Sequence, residues 1–239
     1  MENLLKTLES YIFPKHCLNC GRNEGYICDF CEKEIKYISA YSCIICNRPS
    51  LNGFIHRNCV DSFSPDRFLA AFEYDGVVKK ALINAKYKNK VFDIYTLLVS
   101  LACSYFDEIG LEVGEQAFVV PVPTHYQKYK KRTFDHTLVI AELFAKRWGL
   151  KVISALDKVK RTPSQSLLGK KQRKKNVEGV FKVDPKFVDQ VRGKDIVVID
   201  DIVTTGSTML AACKELRKLG KDGPRYIYCV SLAYDSLRS

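Results

Sequence analysis

Two adjacent carboxylates, Asp200 and Asp201, are followed closely by a segment of hydroxyl side chains and one glycine. Backbone N–H groups at the start of a helix, supplemented by Thr and Ser hydroxyls, suit a phosphate monoester. A carboxylate repels phosphate, but a carboxylate pair suits the vicinal hydroxyls of a ribose, directly or through a Mg²⁺-bound water. One sugar with a 5-phosphate beside a vicinal diol would satisfy both halves. The phosphate half consists of Thr204, Thr205, Gly206, Ser207 and Thr208.

A second chemically capable set lies before residue 60, where most of the ten cysteines occur. With one histidine they form four pairs, each separated by two residues, which is ligand spacing for tetrahedral metal ions. Taken in chain order, the pairs predict two Zn²⁺ sites. The first consists of Cys17, Cys20, Cys28 and Cys31, and the second of Cys43, Cys46, His56 and Cys59.

Other interpretations of the cysteine pairs stay open. An interleaved arrangement of the ligands, or the loss of one metal, would fit the same spacing. A disulfide framework is disfavoured because one ligand is a histidine and no export signal precedes the cysteines. Redox chemistry gives no reason for four pairs in a row. Gly21 and Asn47, which tolerate a left-handed backbone, follow the second ligand of two pairs and favour knuckle-like turns.

The carboxylates and the hydroxyl segment need a rigid support, and the flanking sequence predicts one. Residues 196–199 are apolar and mostly β-branched, which predicts a strand buried on both faces, as in a parallel sheet. Apolar residues at helical spacing follow the hydroxyl segment and predict a helix that ends at Gly220. Further strands are predicted over 68–74 and 117–123, and further helices over 77–88, 94–106 and 137–148.

Residues 196–208 resemble the phosphoribosyl pyrophosphate (PRPP) signature of type I phosphoribosyltransferases, in which paired acids precede a Thr-Thr-Gly-Ser-Thr loop. The alternative is an ordinary Rossmann-like turn whose aspartates only cap the helix. The resemblance implies that Asp200, Asp201 and residues 204–208 bind PRPP together with Mg²⁺. It also implies that the loop after an earlier strand approaches the pyrophosphate, which places Pro123 and Thr124 there.

The order of motifs over nearly the whole chain resembles the ComF family. Paired cysteines, Val-Pro-Val-Pro at 120–123, a basic segment at 132–136, Arg161 with Gln165, and Arg173 with Asn176 precede the PRPP signature. Two departures are local. The segment 132–136 reads Arg-Thr-Phe-Asp-His where the family usually has Arg-Gly-Phe-Asn-Gln, which leaves its role open. His56 replaces a cysteine and still supplies a zinc ligand.

The ComF resemblance implies an α/β fold of the type I phosphoribosyltransferase kind, with a mostly parallel sheet and flanking helices. It also implies a small zinc-binding domain over 1–61, before a phosphoribosyltransferase-like domain over 62–239. The function implied is a PRPP-binding protein, or one binding a related phosphorylated sugar, that acts in DNA uptake during natural transformation. Its implied partners are single-stranded DNA and DNA-uptake proteins. The alternative is an active phosphoribosyltransferase of unknown acceptor that releases pyrophosphate.

Charge and hydropathy limit which partners and which cellular location are expected. Lys and Arg exceed Asp and Glu by 38 to 27, a net charge of +11, which favours polyanionic partners. Lysines cluster in the helix predicted at 77–88, and a second basic run fills 160–177, where a loop closing over pyrophosphate is one interpretation. A merely solvated charged surface is the alternative for both. No apolar run is long enough to span a membrane, and the first residues lack a signal-peptide core, so a cytoplasmic location is expected.

Overall fold

The structure is a computed structural model that describes residues 16–88, 92–123, 135–160 and 179–235. Its strands are β1 (Arg67–Glu73), β2 (Phe118–Pro121), β3 (Lys151–Val152), β4 (Leu156–Lys158), β5 (Phe181–Val183), β6 (Ile196–Val203) and β7 (Ile227–Tyr234). Within these ranges, five strands form a parallel sheet in the order β1-β7-β6-β2-β3, while β4 and β5 form a separate antiparallel pair. The predicted α/β architecture with a mostly parallel sheet is confirmed.

Helices cover both faces of this sheet. They are α1 (Asp29–Glu32), α2 (Gly76–Ile83), α3 (Phe92–Glu108), α4 (His136–Trp148), α5 (Val188–Val191) and α6 (Ser207–Arg217). The Asp135 carboxylate caps α4 by accepting from the Thr137 N–H at 3.0 Å, and α4 ends at Gly149 in the left-handed conformation. Short 3₁₀ turns lie at Leu51–Gly53, Arg57–Cys59, Pro185–Phe187 and Gly220–Asp222.

The central strand β6 divides the core into two halves. Ile196 and Val198 belong to the half that includes the buried side of α6, whereas Val197 and Ile199 belong to the half under α2, α3 and α4. All four side chains are fully buried, as the apolar run predicts. Because successive strand residues point to opposite faces, this alternation fixes where the side chains after Ile199 point.

Residues 16–61, called the zinc module below, pack along the free side of β1. Tyr37 pairs in antiparallel fashion with Phe72, and the Ile38 N–H donates to the Ala71 carbonyl at 2.9 Å. The Tyr41 and Tyr105 hydroxyls lie 2.9 Å apart and join the module to α3. The module therefore contributes to the same hydrophobic core as the sheet, and the boundary between residues 61 and 62 stays a prediction.

Three predicted elements differ in detail. The helix expected over 77–88 is α-helical only to Ile83 and continues as a π-helical turn, Asn84–Lys88. The strand expected over 117–123 spans only Phe118–Pro121; the Val122 N–H makes one more bond to β6, and Pro123 has no N–H with which to continue. The last predicted helix ends at Arg217, before Gly220. The segment 128–132 and most of 160–177 lie outside the described residues.

Candidate functional site

The two carboxylates at the carboxyl end of β6 lie on opposite faces of the sheet. Asp200 lines a small cavity of about 40 Å³ on the α6 side, together with the loop that follows the strand. Asp201 points to the other side, where its side chain is almost completely buried. The sequence predicted one ligand site for both carboxylates, whereas the geometry divides them between two environments.

The loop after β6 forms the wall of this cavity and leads into α6. Gly206 has φ +69°, a left-handed backbone that strongly favours glycine. The buried hydroxyls of Thr205 and Ser207 lie 2.9 Å apart. Gly206 occupies the N-cap position of α6 without a side-chain cap hydrogen bond. The cavity is lined by Asp200, Ile202, Val203, Thr204, Thr205, Gly206, Ser207, Thr208 and Met209, so it includes every residue predicted for the phosphate half.

Two groups on the opposite face stabilise the ionised Asp201 carboxylate. It forms an ion pair with Lys86, and its Oδ2 lies 3.0 Å from Nε2 of His136, the first residue of α4. Loss of hydration would raise the pKa of Asp201, but Lys86 and His136 outweigh it and hold that pKa well below its usual range. Asp201 is therefore an ionised anchor between three elements of the fold.

Asp200 has the opposite electrostatic environment. Loss of hydration, together with the neighbouring Asp201 charge, raises the pKa of Asp200 well above its usual range. Its Oδ1 accepts a hydrogen bond from the Asp201 N–H at 2.9 Å, which partly offsets the shift. A carboxylate in this position gains from a cation or from hydroxyl donors brought by a ligand.

Lys86 and His136 are site residues that the sequence did not assign. Lys86 is one of the lysines that cluster in the helix predicted at 77–88, but it lies in the π-helical turn and points inward to Asp201. Its side chain is 13% exposed, which contradicts the solvated-face interpretation for this residue. His136 did carry a signal, since it is one of the departures from the ComF motif. Sequence alone could not show that both contact the same carboxylate.

The residues predicted near pyrophosphate are only partly described. Pro123 comes two residues after the end of β2, and Val122 donates its N–H to the Ile199 carbonyl at 2.8 Å. Because β2 and β6 are adjacent and parallel, Pro123 follows β2 at the same edge of the sheet as Asp200. Thr124 lies outside the described residues.

The zinc ligands come together in the two sets predicted in chain order. In each set, the four ligand atoms lie within 4.8 Å of one another, which suits tetrahedral Zn²⁺ coordination. Gly21 (φ +83°) and Asn47 (φ +60°) adopt the left-handed backbone expected of the knuckles. Cys28 precedes α1, and His56 precedes the Arg57–Cys59 turn, so short helical turns present the second ligand pairs.

Each zinc site has an outer contact that orients a ligand. In the first site, Asn19 donates from Nδ2 to the Cys31 sulfur at 3.2 Å and accepts at Oδ1 from Lys80 of α2 at 2.8 Å. In the second, Nε2 of His56 lies 2.9 Å from the Pro49 carbonyl, to which it can donate, while Nδ1 lies 3.2 Å from the Cys46 sulfur. This leaves Nδ1 as the metal-binding nitrogen.

Comparison with known protein families identifies both parts of the chain. Residues 8–60 match the double zinc ribbon domain, and residues 139–235 match the phosphoribosyl transferase domain. The chain therefore joins a zinc ribbon domain to a phosphoribosyl transferase domain. The prediction of a zinc-binding N-terminal region is confirmed at this level.

Individual relatives of this chain include competence proteins and a DNA utilization protein. The chain is 26% identical to Competence protein ComFC of Bacillus subtilis, covering 82% of this chain and 79% of that protein. It is 24% identical to Competence protein F of Haemophilus influenzae, covering 87% and 93%. It is also 24% identical to DNA utilization protein YhgH of Escherichia coli K12, covering 46% and 47%. The resemblance to the ComF family is confirmed.

The helices of the structure can be compared with the length and apolar character of a membrane span. Among the described residues, none of the helices combines the length and the apolar character needed to cross a bilayer.

Proposed function

We propose that this protein binds PRPP, or a related phosphorylated sugar, at the tip of β6 and acts as a ComF-type protein in DNA uptake. One observation carries the ligand half of the proposal: Asp200 and the loop of residues 204–208 line the same cavity. This shared lining supports one ligand that brings a phosphate to the loop donors and ribose hydroxyls to Asp200. The match to a phosphoribosyl transferase domain supports a PRPP-like ligand.

The division of the acid pair gives each carboxylate a part in the proposed complex. Asp200 faces the cavity and accepts from the ribose hydroxyls, either directly or through Mg²⁺-bound water. Asp201 stays a predicted ribose ligand, and its contacts with Lys86 and His136 fix the strand tip from behind. Mg²⁺, when bound with PRPP, neutralises the pyrophosphate. Pro123 and Thr124 are proposed to lie beside that group.

Calorimetry with PRPP and Mg²⁺ tests this assignment. We expect binding by the zinc-loaded protein and its loss in the Asp200→Ala/Asp201→Ala double variant. Asp200→Ala alone removes the cavity-facing acceptor without disturbing Lys86. Asp75→Ala is the control, since Asp75 is an exposed acid that pairs with Lys36 away from the cavity. Unchanged PRPP affinity in the double variant would refute the site.

The DNA half of the proposal is supported by a groove at the amino ends of β1 and β7. The groove has a volume of about 750 Å³, and Phe54 and Tyr226 at its walls are about half exposed. Arg67 lies 5.1 Å from the Phe54 ring centre, and Arg225 lies 5.4 Å from that of Tyr226. Exposed aromatic rings are surfaces on which single-stranded bases can stack.

A titration of labelled single-stranded DNA at increasing salt tests this half. We expect affinity to fall steeply with salt, because bound cations are released from DNA. The Phe54→Ala/Tyr226→Ala variant should weaken binding. Phe30→Ala is a matched control, since Phe30 is also exposed and lies 5.0 Å from Arg22 but is not among the groove residues. Absence of binding at low salt would exclude direct DNA contact.

The names of the relatives support the pathway. Competence protein ComFC and Competence protein F are named for competence, and YhgH is named for DNA utilization. We infer that the present chain acts in the cytoplasm on incoming single strands, with DNA-uptake proteins as partners. Failure of a deletion strain to lose transformation would count against this role.

Catalysis is the second candidate function, favoured by the match to a phosphoribosyl transferase domain. In that reaction, a nucleophile forms a bond to the anomeric carbon of PRPP while the bond to pyrophosphate breaks. Pyrophosphate release on incubation with Mg²⁺, PRPP and candidate bases would support an enzyme. Tight PRPP binding without release across the set would favour a ligand-binding role.

A further inference from the structure

The loop of residues 204–208, called the phosphate loop below, packs against the turn of the second zinc site. A Cβ atom built on Gly206 would lie 2.5 Å from Cγ1 of Ile44 and 3.2 Å from its carbonyl oxygen. Ile44 is 3% exposed and belongs to the same half of the core as Met209, in the first turn of α6. Because Gly206 has no side chain, Ile44 of the zinc module can pack directly against the loop backbone.

Ile44 is held in place by the second zinc site. It lies between the ligands Cys43 and Cys46, which the metal would tie to His56 and Cys59. The backbone closes the knuckle independently, since the Cys43 N–H donates to the Arg48 carbonyl at 2.9 Å and the Asn47 N–H to the Cys43 carbonyl at 2.8 Å. A side chain on such a doubly closed turn has little freedom to move away from Gly206.

The first zinc site has a different neighbour. Its buried isoleucines, Ile27 and Ile35, pack in the half of the core that contains Leu69 and Leu82. This half lies on the opposite face of the sheet from Met209 and the core side of α6. The two sites thus differ in what they support, although their ligand spacing is alike.

We propose that Ile44 is a positioning residue for the phosphate loop, and that the second zinc site thereby sets the affinity of this loop for a sugar 5-phosphate. The proposal rests on the proposed function, in which residues 204–208 bind that phosphate. Loop amides bind phosphate well only when they are fixed in advance, since ordering them during binding costs affinity. Removal of the Ile44 side chain would leave a cavity behind Gly206 and free the loop to move.

The test uses the full-length, zinc-loaded protein and three probes: PRPP with Mg²⁺, ribose 5-phosphate, and pyrophosphate with Mg²⁺. Ile44→Ala should weaken the two 5-phosphate ligands by about tenfold or more, because small misplacements of a binding group are costly. Its affinity for pyrophosphate should stay at the wild-type value. Ile44→Val, which keeps most of the contact, should lose only about two- to threefold.

Ile35→Ala is the matched control, because it removes a buried isoleucine of the zinc module on the other face of the sheet. Zinc content by elemental analysis should stay at two ions per chain in each variant. A 5-phosphate affinity in Ile44→Ala equal to that of the wild type would overturn the proposal, as would an equal loss in Ile35→Ala. If Ile44→Ala fails to fold, the graded loss in Ile44→Val decides.

Hydrogen exchange of the ligand-free protein separates this proposal from the proposed function. The Leu210 N–H donates to the Gly206 carbonyl at 2.8 Å, so its amide exchange should be faster in Ile44→Ala than in the wild type, and unchanged in Ile35→Ala. If the wild type binds neither PRPP nor ribose 5-phosphate, the proposed function fails, and exchange still reports the coupling. Unchanged exchange in Ile44→Ala would overturn the positioning role.

Discussion

The two faces of the β6 tip carry adjacent aspartates with opposite properties. On one face, Asp201 is enclosed by Lys86 and His136 and stays ionised. On the other, Asp200 borders the small cavity and holds its proton to higher pH. The Asp201 carboxylate is stabilised by contacts within the protein, whereas the Asp200 carboxylate would gain from a bound ligand. A doublet that looks symmetric in the sequence thus places one carboxylate in an internal ion pair and the other beside the cavity proposed to bind the ligand.

The largest expected effect is on stability, at the enclosed face. Asp201→Asn leaves the Lys86 ammonium, 13% exposed, without its counter-charge, and we expect a loss of about 3–5 kcal/mol in the free energy of unfolding. Urea denaturation at pH 7 measures it. Asp75→Asn, at an exposed pair, should be indistinguishable from the wild type. A loss in Asp201→Asn no larger than in Asp75→Asn would break the comparison.

The pH dependence of that loss follows from the low pKa of Asp201. Its folded-state pKa lies below the unfolded value, so its contribution is fully present above about pH 4 and is lost as the pH falls further. The difference between the wild type and Asp201→Asn should therefore be largest near pH 5 and shrink in more acidic solution. It should also fall toward pH 8, because the Asp201 charge contributes to the raised pKa of Asp200 and the variant lacks that charge. A difference that disappears near neutral pH would contradict the ionised anchor.

Asp200→Asn should act in the opposite direction. Because the pKa of Asp200 is raised on folding, the wild type loses stability as the pH rises from about 4 through the folded-state pKa. The variant should be more stable at pH 8 by on the order of 1 kcal/mol, with no difference near pH 4. The same variant should bind PRPP and Mg²⁺ more weakly. Lower stability at pH 8 would show that the cavity face also needs its charge.

The smallest effect is expected at His136, where the ComF family usually has glutamine. A glutamine amide can donate to Asp201 as the imidazole does, so His136→Gln should change the free energy of unfolding by less than about 1 kcal/mol. Thermal denaturation at pH 7 measures it, with His136→Ala as the variant that removes the donor. Equal losses in the two variants would show that packing, and not hydrogen bonding, decides this position.

The sequence predicted the zinc sites and the loop because each is local. Ligand spacing, with Gly21 and Asn47 after the second ligands, predicted two knuckles in chain order. The apolar run at 196–199 predicted a strand buried on both sides, and its end located the carboxylates. Short-range geometry determines such features, so one segment contains the whole signal.

The enclosure of Asp201 was not predictable in this way. Lys86, His136 and Asp201 belong to separate elements and meet only through the order of strands and helices. The lysine pattern around residue 80 suggested a solvated surface, because periodicity does not reveal a π-helical turn. The contact between Ile44 and Gly206 was not predictable for the same reason, since it depends on how the zinc module packs on the sheet.

The pairing of the zinc module along β1 has a consequence for the chain without metal. Zinc ligands hold residues that hydrogen-bond to the outer side of this strand, among them Ile38 and Tyr37. If loss of zinc released these residues, β1 would present unpaired backbone groups, to which a strand of another molecule can add. Metal-depleted protein should accordingly self-associate through this edge, which would lower its solubility.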